Sequence, residues 1–167
     1  RALELCLLLG LPAAVALFVV PHFLVSALFE RGAFGSTDSY YTGYVLMGYA
    51  FGLPAYIGVK VLSTTFWARG DTKTPVKTAI LATIANIIMG IILSRFIGVA
   101  GIAVATGIAG WLQYVLLNRK LDDDLSYDKQ LTVNFPKIVM SSLLMSAFLY
   151  GFAVYAVPYI PLGTLNL

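Results

Sequence analysis

Lys60 has the most chemistry to offer. It stands in Gly58-Val59-Lys60-Val61-Leu62, inside a long apolar run. An ammonium group there is costly unless it meets water, a polar partner or a cavity. Two readings stay open: the long side chain snorkels to the interface, or it lines a cavity that takes an anionic, phosphate-bearing ligand. Asn86 is an amide deep in another apolar run and must find a partner. Thr106, in the following run, supplies one if the two runs form an antiparallel hairpin. Their oxygens then act either as glue between helices or as a weak cation site. His22, after Pro21, reads as an interfacial residue, and Cys6 as a small apolar group. Asp122, Asp123 and Asp124 read as a solvated loop. The sequence has no metal-ligand cluster, glycine-rich phosphate loop, nucleophile elbow or basic–aromatic nucleic-acid pattern. An enzyme working inside a membrane needs paired acids, a Ser or Cys with a base, or clustered His within its spans. None is found, so the expectation is no enzyme, no cofactor, no metal and no nucleic-acid partner.

Composition fixes the medium that surrounds these residues. Of 167 residues, 59% are hydrophobic and only 11% charged, and the mean hydropathy is +0.86. Soluble domains carry about 25% charged residues, so too little polar surface is left to coat a water-soluble globule. Disorder is excluded by the apolar content, and a disulfide framework by the single cysteine. Five runs approach the roughly 20 residues a membrane helix needs: Leu5–Leu28, Tyr40–Trp67, Pro75–Leu93, Ile97–Leu117 and Pro136–Tyr155. They are continuous rather than alternating, which predicts helices and not a barrel. The fold class expected is an all-α, polytopic transmembrane bundle of about five spans.

Local signals mark the ends of these spans. Ser36-Thr37-Asp38 offers caps for the second. Thr74-Pro75 reads as an N-cap with proline at the first helical position, and Asn134-Phe135-Pro136 does the same for the fifth. Gly98 and Gly101 predict a tight turn between the third and fourth, and Pro158 and Pro161 close the fifth. The second span carries Gly43, Gly48, Gly52, Pro54 and Gly58. Gly48 and Gly52 form a small-xxx-small pair for close helix contact, and Pro54 invites a kink; packing alone and a bendable helix both fit. The fourth span is rich in small residues, from Gly101 to Gly110. The chain lacks an initial Met, opens on Arg1-Ala-Leu-Glu4 and ends on Thr164-Leu165-Asn166-Leu167, so it reads as a piece of a longer chain.

Loop charge sets the expected orientation. Numbering the loops alternately puts Arg1, Arg69, Lys73, Lys77, Arg119, Lys120, Lys129 and Lys137 on one side, and only Arg31 and Arg95 on the other. Positive residues gather in the cytoplasm. The N-terminus, Arg69–Lys77 and Arg119–Lys137 are therefore expected inside, with Glu30–Asp38 and Arg95 outside.

Three blocks carry a family likeness. They are Leu11-Pro-Ala-Ala-Val-Ala-Leu17; Leu28-Phe-Glu-Arg-Gly-Ala-Phe34 followed by Asp38; and Val59-Lys-Val-Leu62 followed by Phe66-Trp-Ala-Arg-Gly-Asp-Thr-Lys-Thr-Pro-Val-Lys77. Together they resemble the MurJ (MviN) family of lipid II flippases, in the multidrug/oligosaccharidyl-lipid/polysaccharide exporter superfamily. The likeness covers residues 1–121 well and continues by hydrophobicity and position through the fifth span. It implies helices nine to thirteen of a fourteen-helix, two-lobe transporter of the bacterial cytoplasmic membrane. The missing N-terminal lobe of the same chain and membrane lipids are then its partners. The implied function is alternating-access translocation of undecaprenyl-pyrophosphate-linked peptidoglycan precursor, lipid II, for cell wall synthesis.

The likeness also assigns residues. Lys60 matches a lysine that faces the substrate cavity. Arg69, Asp71, Lys73, Pro75 and Lys77 form the inner loop motif, and Arg31, Gly32 and Phe34 the outer one. Asn86 and Thr106 match two ligands of a sodium site found in some members, but Gly90 stands where those have an acidic residue. The division implied is residues 1–121 as a four-helix part of the C-terminal lobe, 122–135 as a cytoplasmic loop and 136–167 as a further helix with its outer end. Two other functions fit the same residues: an exporter of a polysaccharide lipid or drug from the same superfamily, and a non-transporting membrane scaffold.

Overall fold

A computed structural model describes residues 2–121 and 129–155. Arg1, the three aspartates at 122–124, Pro158, Pro161 and the Thr164–Leu167 end lie outside the described residues. The described chain forms α1 (Ala2–Val19), α2 (Pro21–Phe29), α3 (Ser36–Ala68), α4 (Lys73–Ile97), α5 (Val99–Lys120) and α6 (Lys129–Tyr155). Three of these, α3, α4 and α5, are long and apolar enough to cross a membrane, and α1 with α2 adds a fourth if the pair counts as one span. The apolar stretch of α6, Pro136–Phe152, is shorter.

The first span differs from the expected single helix. It is bent by 79° between Val19 and Pro21. Proline lacks an N–H and crowds the preceding residue out of the α region; Val20 accordingly sits at φ −122°, ψ 42°. Composition along the run is apolar on both sides of the break, so hydropathy passes straight over it. The fifth helix also starts elsewhere: α6 begins at Lys129 and holds Pro136 inside it, so Asn134 is not its cap. A proline removes one bond and fixes one φ, which does not oblige a helix to begin there.

The helices line up in the order α6, α1, α3, α5, α4, with α2 also against α3. Facing residues give the directions. Gly48 meets Ala103, Gly52 meets Gly107 and Gly58 meets Tyr114, so α3 and α5 run parallel. Gly43 meets His22 and Gly10 meets Ile57, so α1 and α2 run against α3. The seam between α3 and α5 is built on glycine: a Cβ on Gly52 would lie 2.8 Å from the Gly107 Cα, and one on Gly48 2.9 Å from the Ala103 Cβ. In lipid the helices gain little from burying apolar surface against one another, so close backbone approach and interhelical hydrogen bonds hold them. Two such bonds tie this seam, Trp111 Nε1 to the Phe51 carbonyl at 3.1 Å and Tyr56 Oη to the Thr106 carbonyl at 2.8 Å. Below them Leu62, Phe66 and Leu117 close the contact.

The α4–α5 hairpin turns on Gly98 alone, at φ +65°. Gly101 then lies directly on the backbone of Leu93 and Ser94. The expected tight turn is thus confirmed at both glycines.

Candidate functional site

Lys60 is exposed on α3, and no hydrogen bond or ion pair joins it to another described residue. At 3.6 residues per turn it shares a face with Tyr49, Tyr56, Thr64 and Trp67, all of them exposed. The Tyr56 bond to α5 brings Thr106 to the same side, and Thr106 in turn adjoins Asn86 of α4. One side of the helix row therefore carries a lysine, tyrosines, threonines and an amide. The opposite side holds an apolar groove of about 820 Å³, lined by Phe18, Met47, Phe51, Val104 and Ile108 among others. A second apolar pocket of about 330 Å³ lies between Leu7, Pro54, Trp111 and Val139.

Asn86 and Thr106 are brought together, but loosely. Thr106 Oγ1 lies 3.4 Å from Asn86 Oδ1 and only 2.8 Å from the Ile102 carbonyl. The hydroxyl has one proton, and the shorter bond within its own helix takes it. Gly90 faces the same small pocket with Ile87, Ile91 and Ile102. Two neutral side-chain oxygens stand here among isoleucines, and Gly90 brings no carboxylate to them.

The inner loop motif is a double cap. Gly70 takes φ +78°, and its N–H bonds to the Trp67 carbonyl at 2.9 Å while that of Asp71 reaches Phe66 at 3.0 Å. This is a Schellman end for α3. The Asp71 carboxylate then accepts the N–H groups of Lys73 at 3.0 Å and Thr74 at 3.1 Å, capping α4. The N-cap position is Thr72, not the expected Thr74, and the capping carboxylate comes from Asp71 before it; Pro75 sits in the first turn, where its missing donor costs nothing. Hydrogen bonds from Thr74, hydroxyl first and N–H second, hold the Asp71 carboxyl below the usual carboxylate range, helped by Lys73 N–H and the charge of Lys120. A depressed folded value means stability that is present above the ordinary carboxylate pKa and is lost as pH falls through the folded one. Unfolding in detergent should thus show an acid limb below about pH 4 that Asp71→Asn flattens. An unchanged limb in that variant would remove the cap assignment.

The outer motif is also a turn. Gly32 takes φ +60°, the Phe34 N–H reaches the Arg31 carbonyl at 3.1 Å, and Phe34 packs on Phe29 with ring centroids 6.4 Å apart. Arg31 itself is exposed. The next helix has Gly35 at its N-cap, with Ser36 already inside the helix; the Asp38 carboxylate reaches back to accept the Gly35 N–H at 3.1 Å. Arg69, Lys73, Lys77, Arg119 and Lys120 gather at one end of the helices and Arg31 with Arg95 at the other. The family model described as lipid II flippase MurJ matches residues 1–165.

The chain belongs to the lipid II flippase MurJ family. A probable lipid II flippase MurJ of Rhizobium meliloti (strain 1021) is 36% identical over 152 residues, covering 90% of this chain and 28% of that protein. The lipid II flippase MurJ of Thermosipho africanus (strain TCF52B) is 33% identical over 150 residues, covering 89% of this chain and 30% of that protein. A solved structure of lipid II flippase MurJ in an inward closed conformation superposes with a TM-score of 0.79 at 31% identity, over 89% of this chain and 31% of that one. The chain thus spans less than a third of the length of these MurJ relatives.

Two features escaped the sequence reading. His22 is not merely interfacial: it stacks on Tyr40 at 4.9 Å and meets Tyr44 edge-on at 5.2 Å, in a seat that glycine at position 43 leaves open. Its Nδ1 is buried with no hydrogen-bond partner in the structure. The signal was Pro21, which turns α2 so that His22 reaches α3. The second is Tyr56, which nothing in the sequence singled out; its position four residues before Lys60 was the available clue.

Proposed function

We propose that this chain is part of the C-terminal lobe of a flippase for lipid II, the undecaprenyl-pyrophosphate-linked peptidoglycan precursor, in the bacterial cytoplasmic membrane. The observation that carries this reading is Lys60, exposed and without a hydrogen-bond or ion-pair partner among the described residues of a MurJ-family helix row. In that reading Lys60 faces the cavity between two lobes and draws in the pyrophosphate by charge. The isoprenoid chain stays in lipid, and rocking of the lobes turns the cavity outward. The chain supplies binding groups and no covalent chemistry, cofactor or nucleic-acid contact. The other lobe of the same protein and the surrounding lipids complete the machine. The basic ends of α3, α4 and α5 face the cytoplasm, as positive loops do.

Depleting the intact protein and measuring lipid II in each leaflet tests the function. Outward movement should stop; unchanged translocation would overturn the reading and favour a drug or polysaccharide-lipid exporter, or a scaffold. Orientation is tested by single thiols in a Cys6→Ser background: Ser36→Cys should label from outside and Thr72→Cys should not. The reverse pattern inverts the topology.

A further inference from the structure

Tyr56 lies one turn from Lys60 on the same face of α3, and its ring is seated against glycines of α3 and α5. Glycines on two helices make its seat: a Cβ on Gly52 would approach Cε2 to 3.0 Å, and one on Gly110 would approach Cε1 and Cζ to 3.2 Å. The hydroxyl is pinned to the Thr106 carbonyl at 2.8 Å. These contacts fix both the place and the tilt of the ring, yet 37% of the residue remains exposed. Exposed Lys60 and Thr64 share its face of α3. The contrast is with the face of α4 turned away from Asn86, where Leu81, Ile84, Ile88 and Ile92 are exposed, a face suited to hydrocarbon.

Resting on the lipid-linked glycan reading above, we propose that the Tyr56 ring is the platform for the sugar bonded to the pyrophosphate that Lys60 holds. The spacing matches the chemistry of such a ligand. In a glycosyl pyrophosphate the first sugar is joined directly to phosphate oxygen, so ring and phosphate lie a few ångströms apart. Residues four apart on a helix have Cβ atoms about 5–6 Å apart. The C–H face of a pyranose meets the electron-rich face of an aromatic ring favourably, and a ring already locked in place loses no rotamer freedom on binding. Tyr49, exposed two turns further along the same face, stands about 10 Å beyond, roughly a disaccharide's length. Tyr56 is thus a specificity residue: it distinguishes a glycosylated pyrophosphate lipid from a bare one, whereas Lys60 serves both.

The test compares binding of lipid II and of undecaprenyl pyrophosphate to the intact protein and its Tyr56→Leu and Tyr56→Phe variants. The leucine variant should lose about tenfold in Kd for lipid II and keep its Kd for undecaprenyl pyrophosphate. The phenylalanine variant should retain most of the lipid II affinity, since the ring remains. Unchanged binding of the bare pyrophosphate by the leucine variant also shows that it is folded. Equal weakening of both ligands, or of neither, overturns the platform. Should the leucine variant fail to purify, Tyr56→Met fills the same notch without a ring and must show the same selective loss. Failure of the unaltered protein to bind either pyrophosphate lipid overturns the flippase reading, and the platform with it; normal binding with an unmoved ratio in the variants overturns the platform alone.

Discussion

Gly101→Ala should destabilise the protein by about 3 kcal/mol or more, the upper end of what an extra methylene costs in a packed interior. The new Cβ would press on the Leu93 carbonyl and approach the Ser94 nitrogen to 2.9 Å. All of these are backbone atoms, so no side chain can swing aside. The hairpin is also at its tightest here, one turn from the single connecting residue Gly98, so the two helices cannot separate locally without opening that turn. Gly90→Ala supplies the control on the facing helix. Its Cβ would meet only the Ala105 methyl, at 4.0 Å, so alanine should be neutral or improve stability by up to about 1 kcal/mol through helix propensity. Denaturant or thermal unfolding of both variants in detergent reads the difference. Equal behaviour would mean the hairpin is looser than this contact requires.

The largest effect on activity is expected at Lys60. Lys60→Ala in the intact protein should weaken head-group binding by about 10- to 100-fold, the worth of a charge-assisted hydrogen bond to phosphate. Lys60→Arg should retain part of it, because the charge survives while the compact ammonium geometry does not. Stability separates this from the alternative role. Lys60→Leu removes a charge from a membrane helix, so it should leave the fold as stable or more so while transport fails. A side chain that only snorkels to the interface would give up neither transport nor binding on truncation. Normal complementation by the alanine variant at normal protein level would therefore end the cavity role.

What could be read beforehand follows from what each signal measures. The cores of α3, α4 and α5 were legible because a span must be long and apolar whatever it packs against, and Pro54 and the glycines did not interrupt them. The bend at Pro21 was not, since both flanks of it are equally apolar. Gly48 and Gly52 announced a close contact, but nothing in one sequence says which helix comes close; the partner, Gly107, became evident only from the parallel register of α3 and α5. The Arg69–Lys77 block was legible as distinctive, and its local cause was not: Gly70 and Asp71 end one helix and begin the next, a job that needs the dihedral angles to be seen. At the site, Lys60 stood out by charge. Tyr56 did not, because an aromatic residue in an apolar run is ordinary until its hydroxyl and its glycine seat are known.

The glycine seam has a mechanical consequence. With Gly52 against Gly107 and a hydrogen bond on either flank of the seam, neither α3 nor α5 can spin about its long axis without losing a bond that hydrocarbon cannot replace. The pair behaves as one beam, and the lysine is bolted to it rather than swinging on a free rod. Any movement of the ammonium along the membrane normal must therefore take the whole beam with it, together with α1 and α2, which seat on it at Gly10–Ile57 and Gly43–His22.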